Sequence, residues 1–208
     1  DYRLVIFDFD GTLADSYPWF LLNLNKFVEK FGIRKVEEKE LDTFRGFEAG
    51  QLLKHLGIPL WKAPFIARHM RKVMNRDIKQ IALFDGMERV LKTLAGDNIT
   101  LAVVSSNSRD NISKVLGPDI SDLISYFECG VSMFGKHNRI KKILKRSLVT
   151  ADRTIYIGDE IRDLAAARLA RVAFGAVSWG FTKIDALARH SPTLIFTTPE
   201  DITAKIIG

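Results

Sequence analysis

The stretch Leu4-Val5-Ile6-Phe7-Asp8-Phe9-Asp10-Gly11-Thr12-Leu13-Ala14-Asp15-Ser16 constrains this chain more than any other. Four apolar residues in a row, rich in β-branched and aromatic types, predict a strand covered on both faces. The run then ends abruptly in two carboxylates separated by one residue. Ligands of open α/β sheets bind beyond the carboxyl ends of the strands, so Asp8 and Asp10 are expected at such a mouth. Two like charges that close repel unless a cation or a shared proton lies between them. Gly11 permits a sharp turn, and its N–H is free to face an anion. The stretch therefore asks for a divalent cation and a phosphate. Asp-Gly alone is an ordinary turn signal, so the weight rests on the full string.

Strand plus Asp-x-Asp-Gly-Thr-Leu-x-Asp-Ser resembles the first motif of the haloacid dehalogenase superfamily, most of whose members are Mg²⁺-dependent phosphatases. The resemblance implies that Asp8 is a nucleophile attacking phosphorus and that Asp10 is the general acid–base. It implies a Mg²⁺ site drawing on Asp8, Asp10 and the Phe9 carbonyl. Gly11 and Thr12 are expected at the phosphate.

Further along, Ser16 reads as a helix N-cap and Pro18 as a first-turn residue. Helical spacing then recurs from Phe20 to Phe31, Val36 to Phe44, Phe47 to Leu56 and Trp61 to Ile78, with no strand among them. Residues 16–83 are therefore expected to form an inserted all-helical cap, and residues 1–15 and 84–208 the core. After Phe84-Asp85-Gly86-Met87, strands and helices alternate. Strands are expected at 99–105, 127–132, 153–158, 172–178 and 193–196. Helices are expected at 87–95, after Ser108, and at 138–147, 162–170 and 199–207. Such βα alternation predicts an α/β fold, a Rossmann-like three-layer α/β/α core with a parallel sheet.

Three more stations accompany the first. Ser105-Ser106-Asn107 follows the second strand, where a hydroxyl and a following N–H suit phosphate oxygens; Ser105 is preferred over Ser106 because it ends the apolar run. Lys136, in Met133-Phe134-Gly135-Lys136-His137, stands apart from the solvated basic face of Lys141, Lys142 and Lys145, and offsets negative charge at the phosphate. Ile157-Gly158-Asp159-Glu160-Ile161-Arg162-Asp163 resembles the superfamily's Gly-Asp-x-x-x-Asp. With a helix starting there, Asp159 and Asp163 share a face and complete the Mg²⁺ shell. Glu160 is either a water-mediated neighbour of the metal or exposed. Ala176 to Phe181 and Ser191-Pro192-Thr193 are similar to phosphoglycolate phosphatase-like members. Arg45 and Tyr17 are candidates for substrate selection, Arg45 by gripping a carboxylate or second phosphate.

Net charge is +6, with basic residues scattered, which suits steering of a small anionic substrate. Zinc spacing, aromatic-basic RNA motifs and basic tails are absent, so nucleic acid is not expected. No run of about 18 apolar residues occurs, so no membrane span is expected, nor a signal peptide. Cys129 is the sole cysteine, which rules out an intrachain disulfide and suits the cytoplasm. The expected partner is a small phosphorylated metabolite, and the chain is expected to be a monomer or homodimer. A phosphomutase is the alternative enzyme, but Tyr17 to Asn23 offers no acid–base side chain. A non-catalytic protein keeping the fold is the other alternative, and the intact acidic set speaks against it.

Overall fold

The computed structural model describes residues 1–132 and 135–208; Met133 and Phe134, which open the Lys136 stretch, lie outside the described residues. β1 (Leu4–Phe7) is buried along its whole length, as an apolar run without polar alternation requires. β2 (Thr100–Val104) and β4 (Thr154–Gly158) flank it in parallel, with Phe7 opposite both Val103 and Ile157. With β3 (Ile124–Glu128), β5 (Ala173–Val177) and β6 (Leu194–Phe196) they form a parallel sheet in the order β3-β2-β1-β4-β5-β6. The order reverses between β1 and β4, and a crevice opens at that point beyond the strand ends. Asp8 and Asp159 are the residues that follow Phe7 and Gly158 there.

Successive side chains of a strand point to opposite faces. Val5, Phe7, Val103, Ile155 and Ile157 join an apolar cluster with α5 (Met87–Gly96), α6 (Arg109–Leu123) and α10 (Pro199–Ile206). Leu4, Ile6, Ala102, Val104 and Tyr156 face the other way, onto α7 (Lys136–Ser147), α8 (Ile161–Ala170) and α9 (Ile184–Ala188). The core is thus a three-layer α/β/α sandwich.

Between β1 and α5 the chain forms α1 (Tyr17–Lys30), α2 (Glu38–Phe44), α3 (Ala49–His55) and α4 (Ala63–Arg76). Val28, Val36, Leu53, Leu56 and Ile58 make a small apolar cluster of their own. Trp19 and Phe27 of α1 pack instead into the cluster beneath the sheet. The long helix expected from Trp61 is divided, because a 3₁₀ turn (Leu60–Lys62) precedes α4 and Pro64 occupies its first turn. There its missing N–H leaves no helical bond unmade.

The largest departures from expectation concern β3, α7 and α9. β3 begins three residues early, and beyond Glu128 the chain leaves the sheet: the Val131 N–H donates to the Ser105 carbonyl, after Gly130 at φ 65°. α7 starts at Lys136 rather than at residue 138. α9 was not expected, since five residues are too few to establish a helical period. Among the described residues no helix is long and apolar enough to cross a membrane.

Candidate active site

After β1 the backbone closes on itself. The Phe9 carbonyl accepts the N–H groups of Leu13 and Ala14, both at 2.9 Å, and the Gly11 N–H donates to the Ala14 carbonyl at 2.9 Å. Two expectations are corrected by this turn: the Phe9 carbonyl does not face a metal, and the Gly11 N–H does not face an anion. Gly11 is required here for another reason. Its φ is 73°, and a Cβ would lie 2.3 Å from Asp159 Oδ2. The Thr12 hydroxyl, expected at the phosphate, donates to Asp159 Oδ1 at 2.9 Å. Ser16 makes no side-chain cap of α1; its hydroxyl is buried beside Asp10.

Asp8 is buried at the strand end, its Oδ1 accepting the Phe9 N–H. Lys136 Nζ lies 2.8 Å from Asp8 Oδ2 and 2.6 Å from Asp163 Oδ1, and the lysine side chain is 1% exposed. Asp159 does not belong to α8. It ends the β4 excursion, Glu160 is the extended N-cap, and Asp163 sits in the first helical turn with its Oδ2 accepting the Glu160 N–H. Asp159 and Asp163 therefore meet across a strand–helix junction, and not through helical i,i+4 spacing. Glu160 is paired at 2.7 Å with the Arg162 guanidinium.

Asp10 stands apart from that cluster. Its Oδ2 accepts from the Asn107 side-chain amide at 2.9 Å, and the Ser16 hydroxyl is its other polar neighbour. Asn107 is in turn fixed by Ser108 and Asn111. Ser105 is buried and accepts the Asn107 N–H at 3.1 Å, which leaves its hydroxyl proton available to a ligand. Ser106 is only half-buried, and its carbonyl accepts from Arg71 of α4.

Arg45 follows α2 and reaches the core. Its Nε donates to the Phe181 carbonyl at 3.0 Å and its Nη2 to the Gly180 carbonyl at 3.1 Å. Tyr17 is half-buried beneath the same guanidinium, 5.4 Å from its ring centroid, and packs on Phe181.

The description "haloacid dehalogenase-like hydrolase" belongs to the family profile that matches residues 5–177, well over half the chain. The chain belongs to the haloacid dehalogenase-like hydrolases. It is 28% identical over 205 residues to a phosphoglycolate phosphatase of Synechococcus elongatus, covering 98% of this chain and 97% of that one. It is 25% identical over 203 residues to a 5'-nucleotidase of Pseudomonas aeruginosa, covering 92% and 90%. A haloacid dehalogenase-like family hydrolase from Streptococcus pneumoniae superposes with a TM-score of 0.80 at 19% identity over 98% of both chains, a likeness of fold.

In this hydrolase Asp8, Asp159 and Asp163 each offer an oxygen, all within 4.8 Å of one another. That spacing suits oxygen ligands around one hard divalent cation. The charges agree: one lysine among three carboxylates leaves two negative charges, and Glu160 and Arg162 cancel. Burial, then the neighbouring Asp163 and Glu160, push Asp8 up to about 7 against the pull of Lys136. Burial, Glu160, Asp8 and Asp163 raise Asp159 well above the usual carboxylate range. Burial raises Asp10 too, and its neighbours Ser16 and Asn107 pull it partly back. Asp163 goes the other way: burial would raise it, but Lys136 and Arg162 hold it low.

These directions set how the metal-free protein responds to pH. With Asp8, Asp10 and Asp159 raised, the folded chain keeps protons that the unfolded chain has lost above about pH 4. Stability is therefore expected to fall as pH rises from about 4 through 7. The depressed Asp163 acts only below that window. Scanning calorimetry with chelator should show Tm dropping from pH 5 to pH 8, and a saturating divalent cation should flatten the slope by replacing those protons. A metal-free Tm that climbs over this range would contradict the crowding.

Two contributors carried no signal in the sequence. Tyr156, fully buried on β4, donates from its hydroxyl to Asp163 Oδ1 at 3.1 Å; in an apolar strand a tyrosine reads as core. The Phe181 N–H donates to Asp159 Oδ2 at 2.8 Å, and a backbone donor leaves no trace in residue type.

Proposed function

We propose that this phosphatase hydrolyses a small anionic phosphate monoester, with Mg²⁺ held by Asp8, Asp159 and Asp163, through a phosphoryl group carried transiently on Asp8. The observation that carries the reading is the contrast between the buried Asp8 and the half-buried Asp10 two residues on. Asp8 is held against Lys136, whereas Asp10 has neutral hydrogen-bonding neighbours, Asn107 and Ser16, and a raised pKa.

An oxygen of Asp8 attacks phosphorus in line and the ester P–O bond breaks. Asp10, starting protonated, gives its proton to the departing alcohol. The resulting Asp10 carboxylate then takes a proton from the water that attacks the aspartyl phosphate, which restores both side chains and releases phosphate. Asn107 holds Asp10 in place for both transfers. Lys136 and the Ser105 hydroxyl bind the non-bridging oxygens and offset their charge. When bound, Mg²⁺ neutralises the phosphoryl oxygens so that an anionic nucleophile can approach an anionic ester.

Residues 16–83 act as a lid over a core of residues 1–15 and 84–208 in this reading. A cavity of ≈330 Å³ lies between Glu48 and Gly50 of that lid and Lys136, His137, Arg162 and His190 of the core. Its lining is mostly apolar and includes none of Asp8, Asp10 and Asp159, so it does not define the leaving group. The Synechococcus relative's name makes phosphoglycolate the first substrate to try. The enzyme is proposed to work in the cytoplasm as a monomer or homodimer, without nucleic acid.

Hydrolysis of p-nitrophenyl phosphate should require Mg²⁺ and stop on chelation. In a panel of metabolites, small acidic esters such as phosphoglycolate should surpass neutral sugar phosphates in kcat/KM. Absence of Mg²⁺-dependent phosphate release from every ester would overturn the proposal.

A further inference from the structure

Arg45 was expected at the substrate, yet both of its hydrogen bonds go to main-chain carbonyls of the loop that follows β5. We propose that residues 179–183 form a strap through which Arg45 positions Asp159, which makes Arg45 a positioning residue for the bound cation. This inference rests on the metal-dependent reading above.

The central piece is one peptide unit. The carbonyl of Gly180 accepts from Arg45 Nη2 at 3.1 Å, and the N–H of the same unit, on Phe181, donates to Asp159 Oδ2 at 2.8 Å. A peptide unit is rigid and planar, so fixing its oxygen fixes the direction of its N–H. A guanidinium at the oxygen end and a carboxylate at the N–H end polarise the unit in the same sense, and each bond strengthens the other. The other Asp159 oxygen is served indirectly by the same segment. The Trp179 indole donates to the Thr12 carbonyl at 3.2 Å, and the Thr12 hydroxyl donates to Asp159 Oδ1 at 2.9 Å. Gly180 lets the strap lie this close, because a Cβ there would be 2.1 Å from the Cβ of Asp159.

The strap is equally well tied to the helical insert. The Lys183 N–H donates to the Arg45 carbonyl at 2.8 Å, and the Lys183 ammonium pairs with Asp42 of α2. The Phe181 ring packs between Tyr17 and Phe20 of α1. Seating of the insert on the core and the orientation of a cation ligand are thus one structural event.

Charge alone predicts the opposite sign. Removing a cationic side chain favours a bound metal cation through space, whereas loosening the strap disfavours it. Groups that orient metal ligands typically contribute about 10–100-fold to metal affinity. Binding of Mn²⁺ to the substrate-free enzyme, followed by electron paramagnetic resonance, should weaken about 10-fold or more in Arg45→Met. Arg45→Lys, which keeps the charge but not the two-pronged reach, should weaken it less. In both variants saturating metal should restore most of the lost kcat, and KM for p-nitrophenyl phosphate should change less than Mn²⁺ affinity does. Unchanged or tighter Mn²⁺ binding would sink the strap, as would a raised KM with Mn²⁺ affinity intact, the mark of a substrate grip. A wild type that binds no Mn²⁺ removes the metal reading and the strap together; a wild type that binds it as Arg45→Met does removes the strap alone.

Discussion

Asp8→Asn is expected to lose at least about a thousandfold in kcat, the scale on which removal of a nucleophile acts, while the protein remains folded. An amide cannot form the acyl phosphate, and it gives up one of the three charges facing the cation. The stability result separates this loss from misfolding. In the metal-free protein Asp8 is pushed up to about 7 by burial and crowding, so its charged form weakens the fold above that pH. A neutral side chain of the same shape keeps the acceptor for the Phe9 N–H and relieves Asp159. The variant's Tm at pH 8 in chelator should therefore equal or exceed the wild type's, as calorimetry can test. Turnover that survives would overturn the role of Asp8.

Lys136→Met is expected to damage both stability and catalysis. The ammonium lies 2.8 Å from Asp8 and 2.6 Å from Asp163, and is 1% exposed. Burial alone would lower its pKa, but Asp163 and Asp8 raise it further, so it is charged throughout the working range. Without it the three carboxylates face one another, and breaking a buried pair costs about 3–5 kcal/mol. For a chain of this length that corresponds to a fall in Tm of about 6–20 °C. The loss should shrink at pH 5, where Asp8 is protonated, and on adding Mg²⁺, which supplies the missing charge. Activity at saturating Mg²⁺ should still drop about 100–1000-fold, because a preorganised cation at the phosphoryl oxygens is gone. A Tm unaffected by the substitution would mean that Lys136 does not balance the cluster.

The architecture was legible because its signals are local and repeated. The Leu4–Phe7 run breaks into charge at Asp8, and most later apolar runs are followed by a helical pattern, which leaves little besides a parallel α/β sheet. Asp8, Lys136, Asp159 and Asp163 were legible as residue types in a known order, and the fold brings them together at the β1/β4 crevice. What escaped is carried by the backbone or depends on tertiary context. The Phe9 carbonyl and Gly11 N–H looked free in the sequence, but a tight turn consumes both in bonds that no residue type announces. Asn107 was expected at the phosphate, and its side-chain amide holds Asp10. Arg45 was expected to grip a substrate anion, yet its side-chain partners are main-chain carbonyls, which look the same at every residue. Tyr156 was hidden by its own burial, since in β4 a ligand-holding hydroxyl and a core ring have the same apolar neighbours.

In the proposed mechanism Asp8 carries the phosphoryl group and Asp10 moves the protons, and this division of labour can be probed chemically. It is tested most directly by acid-quenching Asp10→Asn during turnover of p-nitrophenyl phosphate and mapping phosphoryl by mass spectrometry. An aryl leaving group needs little protonation, so the first step proceeds, while the second stalls for want of a base. A hydroxylamine-labile phosphoryl group should accumulate on Asp8. Phosphoryl on any other residue, or none in a variant that still gives a burst of p-nitrophenol, would contradict it.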